Sequence, residues 1–222
     1  MYTEVECTFK IKSCYYYSGW SWNDKKHLYI QNNYNDFSLF LLSCIMTDQD
    51  KYLLEKYLLE KYPLIIWAST PVLRKKAAVI GKIDQKIRLL AHDLLELMRL
   101  YDWVWLAAPQ INHSLRLFAY TQRDTTKKKR SLLEEWVMIN PKIVALDNEL
   151  VTEKEWCLSL PWIEWDVLRP IAVTMHYLDI KWKQHIKKAT GYNARILLHE
   201  LDHLDGVLFI DKAEKVYEVK KG

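Results

Sequence analysis

Residues 199–203 read HELDH within an apolar run that includes Ile196, Leu197, Leu201 and Leu204. No other segment restricts the fold as strongly. In a helix, positions four apart lie on one face, one turn apart. His199 and His203 can therefore turn two imidazoles toward one ion. Glu200, next to the first of them, can reach a water on that ion, which is the HExxH arrangement of two nitrogen ligands and a carboxylate base. The apolar neighbours require other elements to enclose this helix. A catalytic site of this kind needs a third protein ligand and an open position for water. Cys157 is the candidate, because the other cysteines, Cys7, Cys14 and Cys44, all lie near the start of the chain. Its thiolate suits zinc or ferrous iron. A metallopeptidase of the same motif would instead draw a third ligand from Asp205, Asp211 or Glu214, downstream of His203.

Periodicity places further elements around that helix. Leu54, Leu58 and Tyr62 recur at four-residue steps, predicting a short helix that ends before Pro63. Ile83, Ile87, Leu90, Leu94, Leu97 and Met98 share a face, predicting a helix over 83–102. Segments 115–121, 136–144 and 171–179 are rich in β-branched and aromatic residues and read as strands. The motif helix is expected over 192–205. Strands in the middle with helices at both ends indicate an α+β domain. The basic run Lys127 to Arg130 reads as a solvated loop, and 212–222 as a frayed end.

Residues 1–47, rich in Tyr, Asn, Ser and Lys, read as an extension that is poorly ordered or not translated, with Met46 as an alternative start. The domain proper is then 48–222. A net charge of +4, with both signs mixed, gives no footprint for direct nucleic-acid readout. No apolar run approaches the roughly 20 residues needed to span a bilayer, so no membrane partner is expected.

Three segments in chain order resemble the peptide deformylase family. They are Trp103-Val104-Trp105-Leu106-Ala107-Ala108-Pro109-Gln110, Glu155-Trp156-Cys157-Leu158-Ser159, and His199-Glu200-Leu201-Asp202-His203-Leu204-Asp205-Gly206. The resemblance covers about residues 64–212 and implies antiparallel sheets around a central HExxH helix. It implies a metal-dependent hydrolase that removes the N-formyl group from the N-terminal methionine of nascent polypeptides and releases formate. Cys157, His199 and His203 would hold one divalent ion, natively Fe2+, with Zn2+, Ni2+ or Co2+ as substitutes. Glu200 would move the proton, and Gln110 with the backbone N–H of Leu158 would hold the oxyanion. Val104, Trp105, Trp156 and Leu198 would line the substrate site, Leu198 standing where the family often has Gln. Asp202 would support the site without ligating. The partners would be the formyl-methionyl nascent peptide and, as a further candidate, the ribosome. The implied setting is the cytoplasm, or an organelle if 1–45 is a transit segment. A relic that binds peptide without turning it over is the non-enzymatic alternative.

The departures from the family share one character. Trp103, Trp105, Trp156 and Trp162 stand at family glycines, and Trp67, Trp165 and Trp182 at sites where glycine is common or a turn calls for it. The chain has 5 Gly and 10 Trp, whereas average usage of ~7% predicts roughly 15 Gly. These positions are expected to be glycine in the working protein, their codon being a UGA read under another genetic code. If tryptophan is real, the indoles should fill the substrate cleft.

Overall fold

The computed structural model describes residues 48–123 and 132–218. The expected extension and the basic run Lys127 to Arg130 lie outside the described residues. The chain divides into two compact units, Met1–Leu54 and Glu55–Gly222. Three helices are described: α1 (Asp48–Lys61), α2 (Gln85–Leu100) and α3 (Gly191–Asp205). The strands are β1 (Trp105–Ala107), β2 (Leu117–Arg123), β3 (Leu132–Leu146), β4 (Leu150–Cys157), β5 (Leu160–Pro170), β6 (Ala172–Leu178), β7 (Gln184–Thr190) and β8 (Ala213–Glu218). They form a five-stranded sheet in the order β1-β2-β3-β6-β7 and a three-stranded sheet in the order β4-β5-β8. Every pairing between named strands is antiparallel, as the α+β expectation requires.

The expected helices form, shifted by one to three residues at their ends. Asp84 caps α2 by accepting the Ile87 N–H at 3.0 Å, and the apolar face of that helix buries Leu90, Leu94, Leu97 and Met98. The expected strands became β2, β3 and β6. The strand-like run before Cys157 and the one after Lys183 became β4 and β7, whereas β1, β5 and β8 were not foreseen. β1 has three residues, too few to show a period. β5 runs through several half-buried residues in succession, so hydrophobic alternation is weak there. The frayed-end expectation is corrected in part. Residues 213–218 pair with β5, because the exposed edge of a short sheet accepts another strand.

Helix α3 is the axis of the domain. All of its residues from Ala194 to Leu204 are buried. Ala194, Ile196, Leu197, Leu198, Leu201 and Leu204 share one apolar cluster with Phe118, Met138, Val173 and Met175 of the larger sheet. Removing a side chain such as Leu197 or Leu204 from this cluster would cost about 2–5 kcal/mol. The helix ends at Gly206, with φ of 74°, and the Val207 N–H donates back to the Asp202 carbonyl at 2.9 Å. A Cβ on Gly206 would sit 2.8 Å from the Arg74 backbone. Glycine is thus required twice, by its dihedral and by the chain that crosses it.

Other left-handed residues are less well suited. Asp102, Asn112 and Asn140 have positive φ, which their short polar side chains tolerate. Trp162 and Trp182 have φ of 74° and 65°. At the β6–β7 hairpin the Trp182 N–H donates to the Asp179 carbonyl, and the Asp179 N–H to the Lys183 carbonyl, each at 3.0 Å. This is a turn closed by a left-handed residue, the position where hairpins take glycine. A non-glycine residue there costs roughly 1–2 kcal/mol, and an indole 45% exposed returns little. Trp182→Gly should therefore raise stability by about 1 kcal/mol, seen as a higher urea midpoint at unchanged m-value. An equal or lower midpoint contradicts this account of the turn.

Candidate metal centre

β4 ends at Cys157, β5 begins at Leu160, and the turn between them faces α3. This places the thiol against the helix. The Cys157 Sγ lies 3.2 Å from His203 Nε2, and one ligand atom from each of Cys157, His199 and His203 falls within 4.8 Å of the others. All three side chains are buried. The expected triad therefore converges, although Cys157 and His199 are far apart in sequence.

Donors left without partners fit a cation here. Among the described residues, the buried polar side-chain atoms lacking a hydrogen bond include His199 Nε2, His203 Nδ1 and both oxygens of Glu200. Leaving such atoms unsatisfied costs about 1–3 kcal/mol each, more when charged. A cation held by the thiolate and the two imidazoles would satisfy His199 Nε2, and a water beside it would give the Glu200 oxygens a partner. Without one, burial and the charge of Glu200 push the Cys157 thiol up to about 12. Burial, reinforced by the charges of Asp202 and Glu155, drives Glu200 well above the usual carboxylate range. Burial, with the charges of His199 and Arg169, drives His203 well below the usual imidazole value. A bound divalent ion reverses the first of these effects by stabilising the thiolate.

Behind the imidazoles lies a network that sequence reasoning did not find. Glu155 accepts from His199 Nδ1 at 3.0 Å, which leaves Nε2 turned toward the thiol side. Glu155 also accepts from Arg169 at 2.5 and 2.8 Å and from Arg195 at 2.8 Å. Arg169 goes on to Asp202 at 2.7 Å, and Lys212 reaches the other oxygen of Asp202 at 2.7 Å. Asp202 is thus held by two cations, Arg169 and Lys212. The only sequence signal was the unusual presence of Arg169 and Arg195 within apolar segments.

Gln110 is fully buried in the short 3-10 turn after β1. Its Oε1 accepts from the Ala107 N–H at 2.8 Å, which fixes the amide so that Nε2 faces Cys157 Sγ at 3.4 Å and Ser159 Oγ at 3.3 Å. Leu158 lines a cavity of about 260 Å³ together with Trp103, Trp156, Cys157, Leu160 and Trp162. A second cavity, of about 10 Å³, adjoins His199 and is lined by Trp105, Trp156, Glu155, Tyr192, Arg195 and Ile196 among others. Trp105 and Trp156 both wall this smaller cavity. Val104 and Leu198 line neither cavity. Both pack with the apolar cluster, because Leu198 falls on the sheet-facing side of α3 and Val104 beside β1. Tyr192 and Ile196 line the smaller cavity without having been singled out in the sequence. Of the downstream acids, Asp205 pairs with Arg116 at 2.7 Å and Asp211 with Arg74 at 2.5 Å.

The sequence matches the model of a family described as polypeptide deformylase over residues 63–218. It is 42% identical over 147 residues to the peptide deformylase of Chlorobaculum parvum, covering 66% of this chain and 77% of that protein. It is 39% identical over 151 residues to that of Borreliella burgdorferi, covering 68% of this chain and 87% of that protein. Its fold is similar to the crystal structure of a peptide deformylase from Synechococcus elongatus in complex with actinonin, with a TM-score of 0.62, 34% identity, and coverage of 70% of this chain and 83% of that one. It is also similar to the Met-Ala-Ser-bound enzyme of Acinetobacter baumannii, with a TM-score of 0.62, 27% identity, and coverage of 68% and 97%.

The Glu155 network predicts an acid limb of stability. Burial opposes ionisation of Glu155, but hydrogen bonds from Arg169 and His199 and the Arg169 charge overcome it, holding the carboxyl well below its usual range. A depressed folded value contributes stability that is present above the unfolded value, about 4.3, and lost as pH falls toward the folded one. In Glu155→Gln, the urea midpoint should fall less steeply with pH below about 4.3 than in the parent. Parallel slopes would contradict the assignment.

Proposed function

The chain belongs to the peptide deformylase family, metal-dependent hydrolases that release formate from the N-formylmethionine of nascent polypeptides, and on that premise we propose which of its residues perform the reaction. Cys157, His199 and His203 hold one divalent ion, natively ferrous iron, with zinc, nickel or cobalt able to replace it. The observation that carries this reading is the convergence of the three ligands beside the unpartnered oxygens of Glu200. When bound, the ion supplies Lewis acidity and lowers the pKa of a water at its open position.

The remaining steps belong to the chain. Glu200 takes the proton of the attacking water and returns it to the leaving amine. Its burial suits it to hold that proton between the two transfers. Charge then develops on the formyl oxygen. Gln110 Nε2 and the Leu158 backbone N–H donate to it, each donor of this kind being worth about 3 kcal/mol. Gln110 needs no reorganisation for the task, because its other amide atom is already fixed on Ala107. Glu155 holds His199 in one tautomer and orientation, and Arg169 and Arg195 hold Glu155. Trp105 and Trp156 stand at the substrate cleft.

The working domain runs over 48–222, with 1–47 as an extension. The substrate is the formylated end of a nascent chain, so the setting is the cytoplasm and the ribosome is a candidate partner. Among the described residues no helix is long and apolar enough to cross a membrane.

The test is formate release from formyl-Met-Ala-Ser by iron-loaded protein, both as written and with glycine at 103, 105 and 156. At least one form should turn over, and removing the metal with a chelator should abolish the activity. In the active form, Glu200→Gln should keep the metal and lose roughly 10²–10⁴ in rate. No formate from either loaded form overturns the reading.

A further inference from the structure

Two unrelated physical signs single out the same residue type. The first is backbone. Among the described residues, the non-glycine positions with positive φ are all Asn or Asp except Trp162 and Trp182. Tryptophan has no local hydrogen bond with which to offset the left-handed conformation. Trp162 is 73% exposed and Trp182 45%, so packing does not hold either one there.

The second sign is space and hydrogen bonding around the triad. The rings of Trp103 and Trp105 lie 5.3 Å apart, and those of Trp103 and Trp156 lie 6.3 Å apart. Trp103 and Trp105 both bury an indole N–H that finds no acceptor, which a side chain without a donor would avoid. Trp105 and Trp156 wall the cavity beside His199, whose volume is about 10 Å³. That holds about one water molecule and no side chain of methionine's size. Trp67 and Trp165 show neither sign. Trp67 is an exposed loop residue, and Trp165 packs against Phe209 at 6.1 Å between ring centres.

Glycine resolves both signs. It adopts positive φ freely, carries no donor and occupies no cleft. One cause acts at all five positions and also accounts for the imbalance of 5 Gly against 10 Trp. The codon UGA differs by one base from the tryptophan codon UGG and by one base from the glycine codon GGA, and cells with reassigned codes read it as one or the other. We infer that positions 103, 105, 156, 162 and 182 are encoded by UGA and decoded as glycine in the cell of origin. The working enzyme then has glycine at all five. The indole wall beside His199 is absent from it, and the cleft is open to an unbranched apolar side chain. The assignment at 162 and 182 stands on backbone geometry alone, whereas the meaning given to the open cleft rests on the deformylase reading.

Two measurements test this. One is the gene sequence together with peptide masses of the protein isolated from its own cells. UGA codons are expected, with each peptide lighter by one indolylmethyl substituent per position. UGG codons, or tryptophan masses at 162 and 182, overturn the inference. The other compares iron-loaded chains with glycine and with tryptophan at 103, 105 and 156 on formyl-Met-Ala-Ser. The glycine form should gain about 10-fold or more in kcat/KM, and equal values overturn the claim that the indoles close the cleft. Glycine masses with no formate released by either form would sink the deformylase reading and leave the decoding inference standing.

Discussion

Glu155 carries a negative charge into a place almost closed to water, 4% exposed and directly behind the His199 imidazole. Such a charge is costly to desolvate unless its oxygens are satisfied. Here two guanidinium groups and one imidazole satisfy it. The arrangement ties three elements into one unit. β4 supplies Glu155, β5 supplies Arg169, and α3 supplies Arg195 and His199. Arg169 bonds onward to Asp202 on α3, so the helix is gripped on two of its turns. Removing one member strands the rest, a loss of about 3–5 kcal/mol in comparable buried pairs. The same bonds fix the orientation of His199, so the stability of the helix and the aim of its ligand are one physical problem.

The thiol depends on this grip. Cys157 is two residues beyond Glu155 on the same strand, so anchoring Glu155 to α3 also delivers Cys157 to His203. Gln110 arrives from the other sheet, and its amide is already committed on one side to Ala107. A reaction that develops charge at a fixed point benefits from donors that need not move. The two sheets therefore meet at the place where that charge would form.

Much of this was legible in the sequence, and the reasons are local. His199, Glu200 and His203 are set by helical spacing alone. The apolar faces of α2 and α3 follow the 3.6-residue period, which long amphipathic helices display plainly. β1 and β5 were invisible because one is short and the other alternates poorly. The roles of Arg169 and Arg195 were hidden because their partners are distant in the chain, and single-sequence patterns carry no such information. Trp182, by contrast, was readable as a misfit. A five-residue connection between two strands has few backbone solutions, and the one adopted calls for glycine.

The account stands on one cation shared by a strand and a helix. X-ray absorption at the metal edge of the zinc-loaded protein measures that coordination directly. The expected first shell has one sulfur at about 2.3 Å and nitrogens at about 2.0–2.1 Å, completed by a light atom from solvent. A shell of nitrogen and oxygen without sulfur would mean that Cys157 does not bind the ion, and would contradict the central claim.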